Sequence, residues 1–394
     1  MPPAAGPRRV TIVSLATMVA AIAPVHLVGA LAPEIQEDLG FGDAEQGLAI
    51  GVFFAVSALF SSWGGALTDR VGPSPALRAA ALASAIGATM LLVSPGYGVL
   101  VAGLVIAAFG NAISQPGNNT FIAGGVPPHR RGLALGIKQA AIPTSTGLAG
   151  LALPTLAVTL GWRWAYAAAI VLALGAMVAV PTIDPPVRRR SEDPGFRPTR
   201  RLILVAGGSA AGAAAVASLG AFLVRSARDA GFSDTSAGLL QVAGSVLLIS
   251  TRIGWGWLMD HRPLDRFRFA AMLLGVGAVA FPLLASGRHG LMVLGALLAF
   301  GAGWSWPGIV HLGTVETNPR STGAASGVVQ TGMFTGAMIG PALFGLVADS
   351  HGFGWAWMLS CGFSTLAMLL VGAGAVGHQR AGRSALAGHL RDDP

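Results

Sequence analysis

The chain has 394 residues, 53% of them hydrophobic and 11% charged, with a formal net charge of +8. A soluble domain carries about 25% charged residues, so this composition excludes a water-soluble globular protein. It does not indicate nucleic-acid binding either, because the arginines are spread between apolar runs rather than gathered on one soluble segment.

Those runs recur from end to end, each near the ~20 residues that a helix needs to cross ~30 Å of hydrocarbon. Twelve spans are expected. The first, 10–32, follows Arg8 and Arg9 and contains His26; it is longer than the apolar core of a cleavable leader, so it is read as a span. The second, 45–67, leads into Gly65-x-x-x-Asp69-Arg70-x-Gly72, and the third covers 76–95. The fourth, 98–123, carries Asn111, Gln115 and Asn118. Their spacing of four and three sets them on one helical face. Three amides turned toward lipid are costly, so this face is expected to meet a cavity or another helix.

The fifth span, 132–159, holds Lys138 and Gln139. Lys138 is the one lysine among 25 basic residues. A lysine where the composition otherwise uses arginine suggests a need for a compact ammonium. An ionisable group at membrane depth costs roughly 2.5–3.5 kcal/mol on insertion scales, which makes it a functional candidate. The bland alternative is a lysine whose amine snorkels to the membrane face. The sixth span is 162–181. The Pro- and Arg-rich stretch 183–200 is read as a cytoplasmic linker between an N-terminal six-helix bundle, 1–182, and a C-terminal one, 201–394.

The seventh span is 201–224; the eighth, 235–258, contains Gln241 and Arg252 and runs through Gly256 to Asp260. Arg252 is the second cation within a span, and pairing with Asp260 or with a helix C-terminus at the gate is its plain alternative. The ninth is 269–286; the tenth, 290–314, places Trp304 and His311 seven apart on one face. Gln330 lies in the eleventh, 322–347, and the single cysteine, Cys361, in the twelfth, 354–376. A lone cysteine excludes an internal disulfide and a thiol metal site. A lone His, Trp or Gln in a helix usually packs; His26, Gln241, Trp304, His311 and Gln330 are candidates on those terms.

With both termini cytoplasmic, nineteen arginines fall on inside segments and four (Arg163, Arg225, Arg228 and Arg288) outside. The positive-inside rule therefore fixes the orientation, in what is read as a prokaryotic inner membrane. The halves also match at a constant shift of 191 residues. Gly65 and Asp69 correspond to Gly256 and Asp260; Pro116-Gly117 to Pro307-Gly308; Gly132, Gly136 and Gln139 to Gly323, Gly327 and Gln330. Lys138 corresponds to Val329, so the fold does not require a cation there. A duplicated six-span unit is a transporter architecture with its site between the halves.

Over essentially its whole length the sequence resembles the major facilitator superfamily. The specific match is Gly65-x-x-x-Asp69-Arg70-x-Gly72 followed by Arg78, with a degenerate copy at Gly256-x-x-x-Asp260-His261-Arg262. The resemblance implies an all-α membrane protein of twelve helices in two pseudo-symmetric six-helix bundles. It also implies a monomer, and a cytoplasmic gate held by Asp69 and Asp260 through helix-end and arginine contacts. Pro73-Ser74 replaces the basic pair usual after the glycine. Arg252-x-x-x-Gly256-x-x-x-Asp260 resembles a pattern in the family's carboxylate carriers, where the arginine binds the substrate.

No Asp or Glu lies deep in any expected span, and buried charges are normally paired. The substrate is therefore expected to bring the negative charge. No phosphate-cradling motif, metal-ligand cluster or nucleophile triad is present, so neither an enzyme, a cofactor protein nor an ATP-driven pump is expected. The expectation is a secondary transporter, a symporter or related carrier, moving a small organic anion, a carboxylate first among them, by alternating access. Lys138 and Arg252 would bind it, and the amides would orient it. If protons drive transport, His26, His311 or Glu34 would carry them. The alternatives are drug efflux by proton antiport and a membrane sensor without flux.

Overall fold

The computed structural model describes residues 6–152, 160–183 and 196–389, and every regular element among them is helical. In chain order these are α1 (Pro7–Ala30), the short α2 (Ala32–Leu39), α3 (Asp43–Val71), α4 (Pro73–Leu92), α5 (Tyr97–Gly125), α6 (Arg131–Gln139), α7 (Ala141–Ala152) and α8 (Arg163–Ala179). Then follow α9 (Arg200–Asp229), α10 (Asp234–His261), α11 (Arg266–Ala285), α12 (His289–Leu298), a π turn over Ala299–Gly303, α13 (Pro307–Thr317), α14 (Thr322–His351) and α15 (Phe353–His389). Twelve crossings result. Ten helices among the described residues are long and apolar enough to span on their own. The fifth crossing is α6 with α7, and the sixth is the 17-residue α8. The end of the expected fifth span, 153–159, and most of the expected linker lie outside the described residues.

Two interruptions follow from proline. Pro143 has no N–H to give the carbonyl of Gln139 four residues back, so the fifth crossing breaks at Ala140. Pro307 starts α13 after the π turn, where Trp304 N–H reaches back to the carbonyl of Ala299 at 2.7 Å. Helix stops are set by glycine where the chain must reverse: Gly72 takes φ +91° between α3 and α4.

Buried apolar side chains fall into three large clusters. One joins both halves at the end carrying Asp69 and Asp260; it includes Leu77, Phe121, Leu135, Met259, Ile309 and Val329. The other two lie toward the opposite end and are confined to one half each, around Phe53 and Trp162 in one and Phe281 and Trp357 in the other. The halves thus share a core at the Asp end and keep separate cores at the far end.

Candidate functional site

At the Asp end the halves are sealed by two equivalent contacts. Asp69, in the last turn of α3, accepts hydrogen bonds from the backbone N–H of Gly323 (2.9 Å) and Ala324 (2.8 Å) at the start of α14. Asp260, in the last turn of α10, accepts from Gly132 (2.7 Å) and Leu133 (2.8 Å) at the start of α6. The first N–H groups of a helix lack intrahelical partners and carry partial positive charge, so each carboxylate caps a helix of the other half. Glycine makes the approach possible. A methyl on Gly65 would run into the carbonyl of Gly323, and one on Gly256 into that of Gly132.

Arg70 differs from expectation. It is exposed at the end of α3 and, among the described residues, makes no hydrogen bond, so it adds no bond to the seal. Ser74, which stands where a basic residue was expected, binds the chain after α8: it donates to the carbonyl of Pro181 (2.8 Å) and accepts from Ile183 N–H (2.9 Å). Arg78 reaches the carbonyl of Val180 at 2.8 Å beside it.

Above the seal lies a layer of buried polar side chains. Lys138 sits seven residues past the start of α6, about 10 Å along the axis at 1.5 Å per residue. Its side chain is fully buried. The amine donates to Oδ1 of Asn119 at 2.8 Å and to the carbonyl of Gln115 at 3.4 Å. The amide nitrogen of Asn119 lies 2.9 Å from Nδ1 of His311 on α13, so the chain of contacts crosses from one half to the other. Gln330 of α14 lies beside His311 as its hydrogen-bonding neighbour, although the contact is too loose to satisfy Nε2 of His311 or Oε1 of Gln330 fully.

Arg252 occupies the same depth on α10. It donates through Nη1 to the carbonyl of Gln139 (2.6 Å) and through Nη2 to the carbonyl of Trp304 (3.2 Å). Both carbonyls lie at the helix interruptions: the first is freed by Pro143, the second follows the π turn. The guanidinium also lies 6.0 Å from the Trp304 ring centroid. Broken backbone at membrane depth is tolerated where it is buried in protein or lines a cavity. Here it supplies acceptors to a buried cation. Neither Lys138 nor Arg252 meets an acidic side chain among the described residues, and neither faces lipid. Of the plain alternatives for Arg252, the Asp260 pairing is absent, because Asp260 is committed to α6, whereas contact with a helix C-terminus is present, because Gln139 is the last residue of α6.

The grouping of the candidates changes. Gln115, with Asn119 four residues on, forms the face that meets Lys138. Asn118 turns toward α1, accepting from Thr17 (3.1 Å) and donating to the carbonyl of Ser114 (2.9 Å). Asn111 donates to Ser57 of α3 at 3.1 Å. In this conformation Asn111 and Asn118 serve helix packing, not the shared layer. Asn119 was missed; its spacing of four from Gln115 was the available signal. Gln139, Gln330 and Trp304 join the layer, and the side-chain oxygens of both glutamines lack partners. His26 and Gln241 do not join it. His26 contacts Ser145 at 3.0 Å, nine residues (about 13 Å) farther along α1 than Thr17. Gln241 lies eleven residues, about 16 Å, from Arg252 toward the far end. Glu34 is on α2 at that end. Both cations are enclosed, 0% and 2% exposed.

Comparison with known proteins agrees with this geometry. The sequence profile of the Major Facilitator Superfamily matches residues 13–306 and 204–385. YwtG of Bacillus subtilis (strain 168), by name a metabolite transport protein, is 27% identical over 146 residues, which is 37% of this chain and 32% of that protein. The chain thus matches about a third of that relative's length. Among solved structures, the human organic anion transporter MFSD10 (TETRAN) aligns with a TM-score of 0.76 at 16% identity, covering 94% of this chain and 100% of that one. The E. coli fucose:proton symporter FucP aligns at 0.76 and 13% identity, covering 92% and 98%. At these identities the structures speak to the fold alone.

Proposed function

The chain belongs to the major facilitator superfamily, and from that premise we propose that it carries a small organic anion, a carboxylate, by alternating access between an N-terminal half (1–182) and a C-terminal half (201–394). The observation that carries this reading is the enclosed pair Lys138 and Arg252, one from each half, held by neutral oxygens and, among the described residues, by no acid. Hydrogen bonds from an ammonium or guanidinium to a carboxylate are roughly twice as strong as neutral ones. An arriving carboxylate would therefore displace Asn119 from Lys138 and the carbonyls from Arg252. Both cations reach it only when the halves are close, so binding favours one arrangement over the other. The organic anion that MFSD10 transports is in keeping with this chemistry.

On this reading the arginine bias places the Asp69–Asp260 seal at the cytoplasmic face of a cell membrane, with both termini inside. The state described is then closed to the cytoplasm and parted on the outside. The protein works as a monomer in the bilayer, and protons are its candidate coupling ion.

The test is uptake into proteoliposomes of labelled mono- and dicarboxylates, with unlabelled carboxylates, xylose and tetraphenylphosphonium as competitors. Carboxylates should accumulate and compete, and the other two should not. Competition by xylose or by the lipophilic cation, together with wild-type rates for Lys138→Met and Arg252→Met, overturns the assignment.

A further inference from the structure

We infer that Lys138, Asn119 and His311 form a one-proton clasp between the halves, so that parting them at the Asp69–Asp260 end takes up a proton. An ammonium has donors only, so the atom 2.8 Å from it is the amide oxygen of Asn119. The other arm of the amide is then NH2, and it donates across 2.9 Å to Nδ1 of His311. Nδ1 must present its lone pair. The ring therefore carries its single proton on Nε2, on the side where Gln330 is its neighbour.

A second proton does not fit. On Nδ1 it would set N–H against N–H. Turning the amide gives His311 its acceptor but aims the NH2 at the ammonium. With the amide turned, only a neutral amine can accept from it. The clasp thus holds at most one positive charge, on Lys138 or on His311, and where one is present the orientation of Asn119 follows it. All three side chains are 0% exposed, so water cannot substitute for the missing bond.

No neighbouring group relieves the conflict. Around His311, α6 contributes Lys138 and α10 contributes Arg252, whose guanidinium is bound to the Gln139 and Trp304 carbonyls. At this depth α1, α5, α9, α11 and α14 bring no ionisable side chain. Arg8, Arg9, Arg200, Arg201, Arg266 and Arg268 lie at the Asp end of their helices, and His26, Arg225, Arg228, Asp229, Asp349 and His351 toward the other.

Lys138 and Asn119 belong to one half and His311 to the other. When the seal opens, Asn119 leaves His311, and Nδ1 can take a proton from the water that enters. The proton on this chain is therefore read by the gate itself, through a Lys–Asn–His bridge rather than a carboxylate. The inference rests on the transporter reading and adds the ion to it.

The single lysine makes the test direct. Protein labelled with ε-15N-lysine in nanodiscs gives one amine signal, and ring-15N-histidine gives His311, assigned by its absence from His311→Gln. Spin labels at Val71→Cys and Arg320→Cys, both exposed positions at the Asp end, report opening in a Cys361→Ser background. At pH 8 the distance should be short, with one positive charge over the pair and a lone pair on Nδ1. Toward pH 5 the closed-to-open ratio should fall by up to about tenfold per pH unit, the limit for one linked proton. In His311→Gln, which keeps an acceptor and cannot titrate, the ratio should not move. Two charges or none on the closed pair, a wild-type distance indifferent to pH, or a His311→Gln response like wild type overturns the inference. If His311→Gln does not fold, the wild-type charge count and distance series decide alone. No anion enters these measurements, so they stand or fall separately from the uptake panel.

Discussion

The two contacts between the halves are copies of each other, yet they differ in what they enclose. Where α3 meets α14, Gly65 and Gly323 touch and Asp69 caps a helix start; where α10 meets α6, Gly256 and Gly132 touch and Asp260 does the same. One layer deeper the copies part. The α6–α10 side has Lys138 and Arg252; the same repeat positions on the α3–α14 side are Val329 and Ser61. The backbone parts with them: α6 breaks before Pro143, whereas α14 carries Phe334 at that position and runs on to His351. Duplication preserved the contacts that both hinging interfaces need. Buried cations stand at one of them, where interrupted helices offer carbonyls to a guanidinium.

Removing the asymmetric chemistry should have the largest effect. Lys138→Met or Arg252→Met should lower carboxylate uptake by at least about 100-fold while thermal stability changes little, because relief from burying a charge without a counter-ion offsets the oxygens left without a donor. Val329→Lys should not rescue the first variant, since its side of the repeat lacks the Asn119 and His311 partners. Breaking the symmetric part should instead cost stability on both sides alike. Gly65→Val and Gly256→Val each press a side chain into a carbonyl, and overpacking costs typically 1–3 kcal/mol; both should lower the melting temperature by similar amounts and leave the Asp end open to thiol labelling from that side.

Asp69→Asn and Asp260→Asn should be milder and again matched, about 1–2 kcal/mol each, as charge-assisted bonds weaken to neutral ones. Unequal losses would show that the two caps are not mechanically equivalent. The smallest effect lies at the far end. There Arg163 bonds Asp38, at 40% and 44% side-chain exposure, with Trp162 Nε1 3.1 Å from the same oxygen. The hydrogen bond from Arg163 holds the Asp38 carboxyl below its ordinary range. The pair's contribution is present above the unfolded carboxylate pKa and fades as pH falls through the lowered folded one. Solvent screening keeps it small, under ~1 kcal/mol. Asp38→Asn should shift the melting temperature slightly at pH 7 and not at pH 2.

The twelve crossings and the equivalence of Asp69 and Asp260 were legible because hydropathy and a repeat of glycine and aspartate are local or periodic signals. Lys138 and Arg252 were legible as exceptions to composition. The grouping on α5 was not. Asn118 and Asn119 are adjacent, and the chain alone does not reveal which of them faces α1 and which faces α6; helix packing settled it. Nor did Arg70, charged and next to the motif aspartate, declare that it would stay exposed and add no bond to the seal.

The sequence by itself determined that the chain crosses a membrane twelve times in two related units, because in hydrocarbon each backbone polar group must be satisfied within helices and long apolar stretches have no other stable form. Which side chains meet between those units was decided only by tertiary structure. His311 reaches Asn119 across 192 positions, and Arg252 reaches Gln139 across 113, through the mutual placement of helices and the breaks that Pro143 and the π turn introduce. Contacts of that separation leave no periodic trace in a single chain, since each partner is fixed by packing against a different neighbour.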